Sequence, residues 1–459
     1  MNSWKWLGSF ALALSALVGC GDDDARPAPM TDAGADAGSD ASVDLGRDTG
    51  TRDAGADDGN DTFAEAVALT LGAATGAMAT IGTVEDKDYF SFAATANQWI
   101  IITTTANADD DDTKVDTFIT LFDSTMTAVA ANDDAVPRAS TDSELIFHAV
   151  TAGTYYIEVQ EFSDFTDMSP EAHPADMYEL EVAALNIPIA GVTEDAETGN
   201  DAASATPLEF FAAGNGILVG TYAAVDDVDV FSITTTALQI VQATFMPAGA
   251  TGYGSTTPPR SAWVTAMDGT TILARISDLT MLNEISPSLA AGSYLLWIDR
   301  PAGTVGSNDF YVSKVFRGAE NTPEAAEATN GVLTTPELVT LTVPMGSTGL
   351  RNGFIIAQLG DGDVDHFAID VLAGEQAGVS CGAETSGSGV RGLNVALLDS
   401  TGTVVAMMNE TTAASGAIIP ATTVAPGRYL VRLTKTAQDA AVTSTWVRCG
   451  LRATVPAAP

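Results

Sequence analysis

The chain is organised around one seven-residue stretch, Asp86-Lys87-Asp88-Tyr89-Phe90-Ser91-Phe92, which recurs as Asp227-Val228-Asp229-Val230-Phe231-Ser232-Ile233 and as Asp363-Val364-Asp365-His366-Phe367-Ala368-Ile369. Each copy places two carboxylates ahead of an alternating, strand-like run. Asp229 follows Asp88 by 141 residues, and Asp365 follows Asp229 by 136. A second marker keeps step with the first: Gly153-Thr154-Tyr155, Gly292-Ser293-Tyr294 and Gly427-Arg428-Tyr429. Two signals that stay in register three times predict three copies of one domain.

Each copy reads as a succession of short β-strands. In the first copy, runs rich in β-branched and aromatic residues begin at Trp99, Phe118 and Tyr155, and turn residues separate them. Strands of this length, spaced by about 8–12 residues, are typical of β-sandwiches. The sequence therefore predicts an all-β fold with three tandem sandwiches after an acidic tether.

The repeat also predicts where the segments begin and end. The predicted ranges are 1–19 for a signal peptide, 20–57 for a disordered Asp/Ala/Gly tether, and 58–187, 195–317 and 319–456 for the three β-sandwiches. The tether contains small residues and aspartates, so it cannot bury enough apolar area to offset the entropy of ordering.

The first twenty residues indicate export. The apolar run from Leu7 to Val18 is too short to span a bilayer permanently but suits a signal-peptide core. It ends in Leu17-Val18-Gly19-Cys20, which resembles the bacterial lipobox with Cys20 as the lipidated residue. This resemblance implies a lipoprotein of the cell envelope, anchored to the outer membrane and facing either the periplasm or the surface. The alternative is an ordinary secretory signal with an incidental cysteine.

The net charge of the chain argues against one class of partner. A formal net charge of −41, with only 19 Lys and Arg residues, argues against a nucleic-acid partner, because such binding depends on cationic side chains. The charge also suits a secreted protein that must stay soluble.

The cysteine count predicts a disulfide. Without Cys20, the remaining pair Cys381 and Cys449 predicts one disulfide in an exported protein. Two buried free thiols are the alternative.

Several motifs, taken in order, carry a family resemblance. An Asn-Asp opening, an Asp-x-Asp-x-Phe strand, a mid-domain strand that ends in Asp, and Gly-x-Tyr followed by a strand recur along the chain. Together they resemble the bacterial pre-peptidase C-terminal (PPC) domain. The resemblance implies a jelly-roll-like β-sandwich of the kind appended to secreted peptidases and other exported proteins, related to the collagen-binding domains of collagenases. No peptidase catalytic domain accompanies it in this sequence.

The resemblance also implies calcium binding. Asp86 and Asp88 lie two apart in a strand and therefore on the same face, where burial of carboxylates requires N–H donors or a cation. Carboxylate oxygens suit Ca²⁺. Calcium-binding relatives use the acidic opening together with the Asp pair, which here gives these candidate ligands: Asp58, Asn60, Asp61, Asp86, Asp88, Glu197, Asn200, Asp201, Asp227 and Asp229. The third copy, with its opening placed at Asn321, offers a poorer set. The alternative is that these aspartates cap turns.

The Gly-x-Tyr tyrosines are interpreted as structural. A tyrosine that enters the edge of a sandwich core with its hydroxyl bonded to loop backbone is a known device of this architecture. We therefore expect Tyr155, Tyr294 and Tyr429 to support the fold and not a reaction.

One acidic loop is the candidate contact surface. The segment from Glu161 to Asp176 mixes acids with Phe162, Phe165, Met168 and His173, and a merely solvated loop is the alternative. The sequence contains neither His-Glu-x-x-His nor Gly-x-Ser-x-Gly. We predict a non-enzymatic lipoprotein, with no cofactor other than calcium, that binds a protein or glycan. A structural spacer, or an accessory or processing subunit of a secreted peptidase or other hydrolase, is the alternative.

Overall fold

The structure is a computed structural model that describes residues 59–72, 76–83, 85–106, 115–133, 142–166, 177–185, 190–195, 201–222, 224–225, 227–279, 284–300, 302–320, 324, 329–344, 349–410 and 416–456. Among these residues, helix is confined to α1 (Phe162–Phe165) and a 3-10 turn (Glu384–Ser386). No helix in these ranges is long and apolar enough to cross a membrane. The predicted all-β fold class is confirmed. The predicted signal peptide, Cys20 and the tether lie outside the described residues.

The first sandwich consists of two facing sheets. Its described strands are β1 (Val67–Ala68), β2 (Ala77–Ala79), β3 (Lys87–Ala94), β4 (Gln98–Ala106), β5 (Thr117–Phe122), β6 (Ala128–Asn132), β7 (Glu144–Ala149), β8 (Gly153–Glu161) and β9 (Tyr178–Ala184). One sheet has the order β1-β3-β8-β5-β6, and the other has the order β2-β9-β4-β7.

The second sandwich repeats this plan. Its described strands are β10 (Val192–Glu194), β11 (Thr206–Pro207), β12 (Asn215–Thr221), β13 (Val228–Thr235), β14 (Gln239–Phe245), β15 (Ser261–Ala266), β16 (Ile272–Ile276), β17 (Glu284–Ile285), β18 (Ser288–Leu289), β19 (Gly292–Asp299) and β20 (Phe310–Ala319). Its sheets have the orders β11-β13-β19-β15-β16 and β10-β12-β20-β14-β17, with β18 also paired to β14.

The third sandwich follows the same plan again. Its described strands are β21 (Glu337–Leu338), β22 (Leu350–Gln358), β23 (Asp365–Val371), β24 (Gln376–Gly382), β25 (Val390–Leu398), β26 (Val404–Asn409), β27 (Ala417–Thr423), β28 (Gly427–Gln438) and β29 (Trp446–Thr454). The sheet orders are β21-β23-β28-β25-β26 and β22-β29-β24-β27.

The three sandwiches share details of pairing as well as strand order. In each five-stranded sheet, a two-residue strand runs parallel to the Asp-x-Asp strand, which pairs antiparallel with the Gly-x-Tyr strand. The last two strands of each sheet carry a register shift at corresponding places, after Leu121, Val264 and Leu397. Bulges of this kind bend an edge strand. The three Asp-x-Asp segments therefore occupy the same position in their sheets.

The core follows from the alternation along β3. Phe90 and Phe92 are 2% exposed and belong to the inner cluster, and each contributes about 1.5–3 kcal/mol by burial. Tyr89 points to the opposite face, where its ring lies 4.8 Å from that of Phe63 in a small separate cluster. The sheet is thus packed on both faces at this point.

The Gly-x-Tyr tyrosines play the predicted structural part. The hydroxyls of Tyr155, Tyr294 and Tyr429 each donate to the backbone carbonyl four residues earlier, at 2.9, 3.0 and 2.9 Å. Each bond ties the loop that enters the strand to the strand itself. The same local contact is therefore made three times.

The first and second sandwiches are joined through a buried interface. The Phe310 ring on β20 lies 5.5 Å from Trp99 and 5.8 Å from His148, and all three residues are buried. The buried Tyr253 hydroxyl donates to the Glu144 carbonyl at 2.9 Å, and Lys314 Nζ lies 3.1 Å from the Glu144 carboxylate. One apolar cluster extends from the first core across this joint.

The second and third sandwiches are joined by a buried arginine. The Arg448 guanidinium on β29 donates to the Ser286 carbonyl at 3.1 Å from both terminal nitrogens, and to the connecting residue Glu320 at 2.9 Å. The side chains of Arg448 and Glu320 are 8% and 1% exposed. A buried charge without a partner is energetically costly. The joint between the second and third sandwiches therefore depends on both Arg448 and Glu320, because removing either one would leave the other charge buried and uncompensated.

Candidate functional sites

The Asp pair of the first sandwich lies at the start of β3, and both carboxylates are buried. Asp86 and Asp88 are 1% and 0% exposed. Asp86 accepts a hydrogen bond from the Gly82 N–H at 2.5 Å, which closes the preceding loop. Asp88 accepts one from the hydroxyl of Tyr178, on the neighbouring sheet. The two carboxylates thus anchor a loop and bridge the two sheets.

The second sandwich repeats the phenol–carboxylate contact, and the third does not. Tyr311 donates to Asp229 at 2.6 Å. Burial and the charge of Asp229 raise the pKa of Tyr311 well above its usual value, so the phenol stays a donor. In the third sandwich, the residue on β29 that corresponds to these tyrosines is Val447, which is buried in the apolar core.

Replacing Tyr311 by phenylalanine is expected to lower the free energy of unfolding by about 1–3 kcal/mol, because a buried carboxylate loses a donor. Tyr294→Phe is the matched control: its hydroxyl bonds only to loop backbone, and its loss is expected to cost about 0.5–1.5 kcal/mol. Urea denaturation of both variants measures the difference. An equal cost for the two would contradict a special role for the Asp229 contact.

The Asn-Asp openings differ between the copies. Asn60 is buried beside β3, where its carbonyl accepts the Tyr89 N–H at 2.8 Å. In the third sandwich Asn330 takes this place, because its carbonyl accepts the His366 N–H at 3.0 Å. The sequence placed this opening at Asn321, which lies outside the described residues. The structural counterpart is Asn330, which precedes Asp363 by 33 residues where Asn60 precedes Asp86 by 26, and this longer spacing hid the correspondence.

Among the described residues, no group of three or more His, Cys, Asp or Glu is arranged to hold a metal ion. Asp61 is buried, whereas Asp201 is exposed and caps its turn by accepting hydrogen bonds from the Ala203 and Ser204 N–H groups, both at 2.9 Å. A hydrogen bond from the Ser204 hydroxyl, together with these backbone bonds, holds the pKa of Asp201 below its usual value. Asp227 is buried immediately before β13 begins.

The hydrogen bonds of Asp86, Asp88, Asp229 and Asp201 therefore favour the capping and bridging interpretation of the aspartates. Asp58, Glu197 and Asn200, which complete the predicted ligand sets, lie outside the described residues. Calcium binding stays a prediction.

The candidate contact loop begins with α1, and its aromatics pack on the sandwich. The Phe165 ring stacks on that of Phe118 at 3.7 Å, and Phe162 lies 6.4 Å from the same ring. The Glu85 N–H donates to Asp164 at 2.7 Å, so α1 lies beside the Asp86 loop. The two phenylalanines are half-buried. Met168 and His173 lie outside the described residues.

The corresponding loop of the second sandwich is closed by an ion pair. Arg300 donates to Asp309 at 2.8 Å, and their side chains are 1% and 3% exposed. Burial opposes ionisation of Asp309, but hydrogen bonds from Thr256, the Gly306 N–H and Arg300 outweigh it and hold its pKa at about 2. This loop is therefore a fixed structural element.

The predicted disulfide is present. Cys381 on β24 and Cys449 on β29 are joined at an S–S distance of 2.04 Å and lie directly opposite each other in the sheet. Both are buried in the third core.

Glu410 is a buried acid that the sequence did not single out. It follows β26 and is 7% exposed. Burial, together with repulsion from Glu384, raises its pKa from 4.5 to about 7. A carboxyl whose pKa is raised on folding contributes stability that is fully present below the unfolded value and is lost as the pH rises through the folded value.

Stability is therefore expected to fall by about 1–2 kcal/mol between pH 4.5 and 7 because of this group, after allowance for solvent screening. Glu410→Gln should remove that slope and stabilise the protein at pH 8, as measured by urea denaturation across this range. Glu209→Gln, at an exposed position, is the control. An unchanged slope in Glu410→Gln would be contrary to this assignment.

Comparison with known proteins gives a family match for one segment of the chain. Residues 86–161 match the family described as "Bacterial pre-peptidase C-terminal domain". No curated protein sequence matches the chain.

Solved structures with similarity to the chain have low TM-scores. The pre-peptidase C-terminal domain of collagenase from Bacillus anthracis is 18% identical, with 26% of this chain and 93% of that chain covered and a TM-score of 0.19. The tandem CBM51 modules of a family 98 glycoside hydrolase from Streptococcus pneumoniae are 9% identical, with 54% and 85% covered and a TM-score of 0.16. The CUB1-EGF-CUB2 domains of rat MASP-1 are 9% identical, with 51% and 96% covered and a TM-score of 0.17.

The family match begins at Asp86 and ends with β8, so it contains the Asp pair, β5 and the Gly-x-Tyr strand on which the sequence resemblance rested. Residues 86–161 of the first sandwich thus match the bacterial pre-peptidase C-terminal domain, as the sequence predicted.

Proposed function

We propose that the chain is a non-catalytic protein of the cell envelope that presents three β-sandwich modules to an extracellular protein or glycan. The observation that carries the proposal is the match of residues 86–161 to an accessory domain family, together with the same strand order in the five-stranded sheet of all three sandwiches. The lipobox-like ending at Cys20 supports an anchor in the outer membrane. Acyl chains on Cys20 would hold the modules at that membrane.

The first sandwich offers the surface that we assign to the partner. Its α1 places two half-buried aromatic rings and the Asp164 carboxylate on one short segment beside the Asp86 loop. Aromatic rings held by packing supply contact area at a low cost in entropy. The Arg300–Asp309 ion pair closes the corresponding loop of the second sandwich on itself, so that loop has less to offer a ligand.

The experiment is a binding screen with the full chain, kept unacylated by Cys20→Ala. Fibrillar collagen, other immobilised extracellular proteins and a glycan array are the probes. The expected result is saturable binding to one of these classes, weakened at least about tenfold in the double variant Phe162→Ala/Phe165→Ala. Phe210→Ala is the matched control, because Phe210 is also a half-buried aromatic, packed against Arg317 away from α1.

Calcium is tested in the same screen. Repeating it with calcium or with a chelator, and following the melting temperature, tests the proposed calcium ligands. A rise in melting temperature with calcium that disappears in Asp86→Asn/Asp88→Asn would support the metal site.

Failure of every probe to bind would favour the spacer alternative, for which the buried joints between sandwiches are the supporting observation. If binding persists in Phe162→Ala/Phe165→Ala, the binding surface lies elsewhere than on α1. An accessory role for a secreted peptidase or other hydrolase would instead appear as a change in the activity of that enzyme when this chain is added.

A further inference from the structure

The last strand of the five-stranded sheet is covered in the first two sandwiches. On β6, the Ala131 N–H donates to the Gly252 carbonyl of the second sandwich at 2.8 Å. On β16, the Arg275 N–H donates to the Gly387 carbonyl of the third sandwich, also at 2.8 Å. The outer edge of each strand is thus engaged by a loop of the next sandwich.

Both covering loops require glycine. A Cβ on Gly254, in the loop of Gly252, would lie 2.7 Å from the Val129 carbonyl oxygen. A Cβ on Gly387 would lie 3.1 Å from the Arg275 nitrogen, and both glycines have positive φ. The loops therefore approach the covered edges more closely than other residues allow.

The third sandwich has the same edge without such a cover among the described residues. The register shift aligns Ala406 of β26 with Ala130 and Ala274, so Met407 corresponds to Ala131 and Arg275. Ala131 is 1% exposed, whereas Met407 is 53% exposed. By this register, the N–H of Met407 points out from the sheet edge, where Ala131 and Arg275 make their contacts with the next sandwich.

The β26 edge is also apolar and uncharged. Val404, Val405 and Met408 are 48%, 39% and 41% exposed, and Thr403 to Asn409 contains no charged residue and no proline. Natural proteins usually protect such an edge with charge, proline, a cover or a partner strand, because its free N–H and C=O groups are a template for pairing. In a chain with a net charge of −41, this neutral strand is a place where two copies meet little repulsion.

Head-to-tail stacking of copies is disfavoured. The second sandwich contacts the first through β20, which carries Lys314, and the third contacts the second through β29, which carries Arg448. The corresponding strand of the first sandwich is β9, which carries Glu179 and Glu181 instead. The loop of the first sandwich that corresponds to the covering loops, residues 107–114, contains four aspartates and no glycine. The first sandwich of another copy is therefore a poor cover for β26.

We propose that β26 pairs antiparallel with β26 of a second copy, which joins two five-stranded sheets across a two-fold axis. Antiparallel strands exchange N–H···O bonds between opposed residues, and the outward groups of β26 belong to Met407 and Asn409. Pairing Met407 with Asn409 of the second copy satisfies both and places the axis at Met408. Two-fold dimers are the commonest closed assemblies, and this one uses the β26 edge of both copies, so no further copy can add to it through β26.

The test is sedimentation velocity on the full chain, kept unacylated by Cys20→Ala, over about 1–100 µM. The expected result is a dimer, weakened at least about tenfold by Met407→Lys, which places a charge on the edge. Met267→Lys is the matched control, because Met267 is 48% exposed in the second sandwich, away from this edge. A thermal melt of each variant checks that the fold is retained.

A second variant gives a positive signal that does not depend on losing stability. Met408→Cys is expected to form a disulfide-linked dimer under mild oxidation, because opposed residues of a non-hydrogen-bonded pair are about 4.5 Å apart at Cα. Met267→Cys should not cross-link. A monomer throughout the concentration range, equal weakening by the two lysine variants, or equal cross-linking by the two cysteine variants would overturn the proposal.

Discussion

Arg448→Ala is expected to lower the stability of the protein by about 3–5 kcal/mol, because it leaves the carboxylate of Glu320 buried without its charged partner. The same change removes the donors that reach the Ser286 carbonyl of the second sandwich. The third sandwich should therefore melt separately, as an extra transition in differential scanning calorimetry.

Arg428→Ala is the matched control for this prediction. Arg428 pairs with Asp370 at 2.9 Å, but the two side chains are 51% and 54% exposed. An exposed pair of this kind contributes about 0–1 kcal/mol. If the two arginine variants lost the same stability, burial would not be what makes the Arg448 pair important.

Removal of the Cys381–Cys449 disulfide is expected to cost about 4 kcal/mol, because the bond closes a loop with a sequence separation of 68 residues in the unfolded chain. Cys381→Ala/Cys449→Ala should lower the denaturation midpoint of the third sandwich and leave the Trp99 side of the molecule unaffected. Intrinsic fluorescence during urea denaturation, with and without a reductant, measures this.

The reductant supplies the control for the disulfide prediction. It should destabilise the natural protein and have no effect on the double variant. A loss below about 1 kcal/mol in the double variant would mean that the unfolded chain is already compact around this loop.

The repeated unit could be predicted because its signals are local. Alternation along Asp86 to Phe92 identifies a strand with one buried face, and glycine ahead of Tyr155 identifies the entry to another. The disulfide followed from simple counting, since only two cysteines remain after Cys20. The strands depend on residues that are close in sequence, and the disulfide depends on the count of cysteines. Both can be read from a single amino-acid sequence.

The joints could not be predicted, because nothing local marks them. Phe310 and Trp99 read as ordinary strand residues, yet their rings meet across two sandwiches. Arg448 lies on a strand among apolar neighbours, and only tertiary structure pairs it with Glu320. The replacement of the bridging tyrosine by Val447 was equally hidden, because it appears only when β29 is aligned in space with β9 and β20.

The apolar cluster that crosses the first joint bears on how this chain can be divided. Cutting it between Leu185 and Val192 would leave Trp99 without the ring of Phe310 and would bare Tyr253 on the other piece. Each fragment would then carry a newly wetted aromatic surface, a recognised cause of aggregation. The first two sandwiches are therefore expected to stay soluble only when they are produced as one piece.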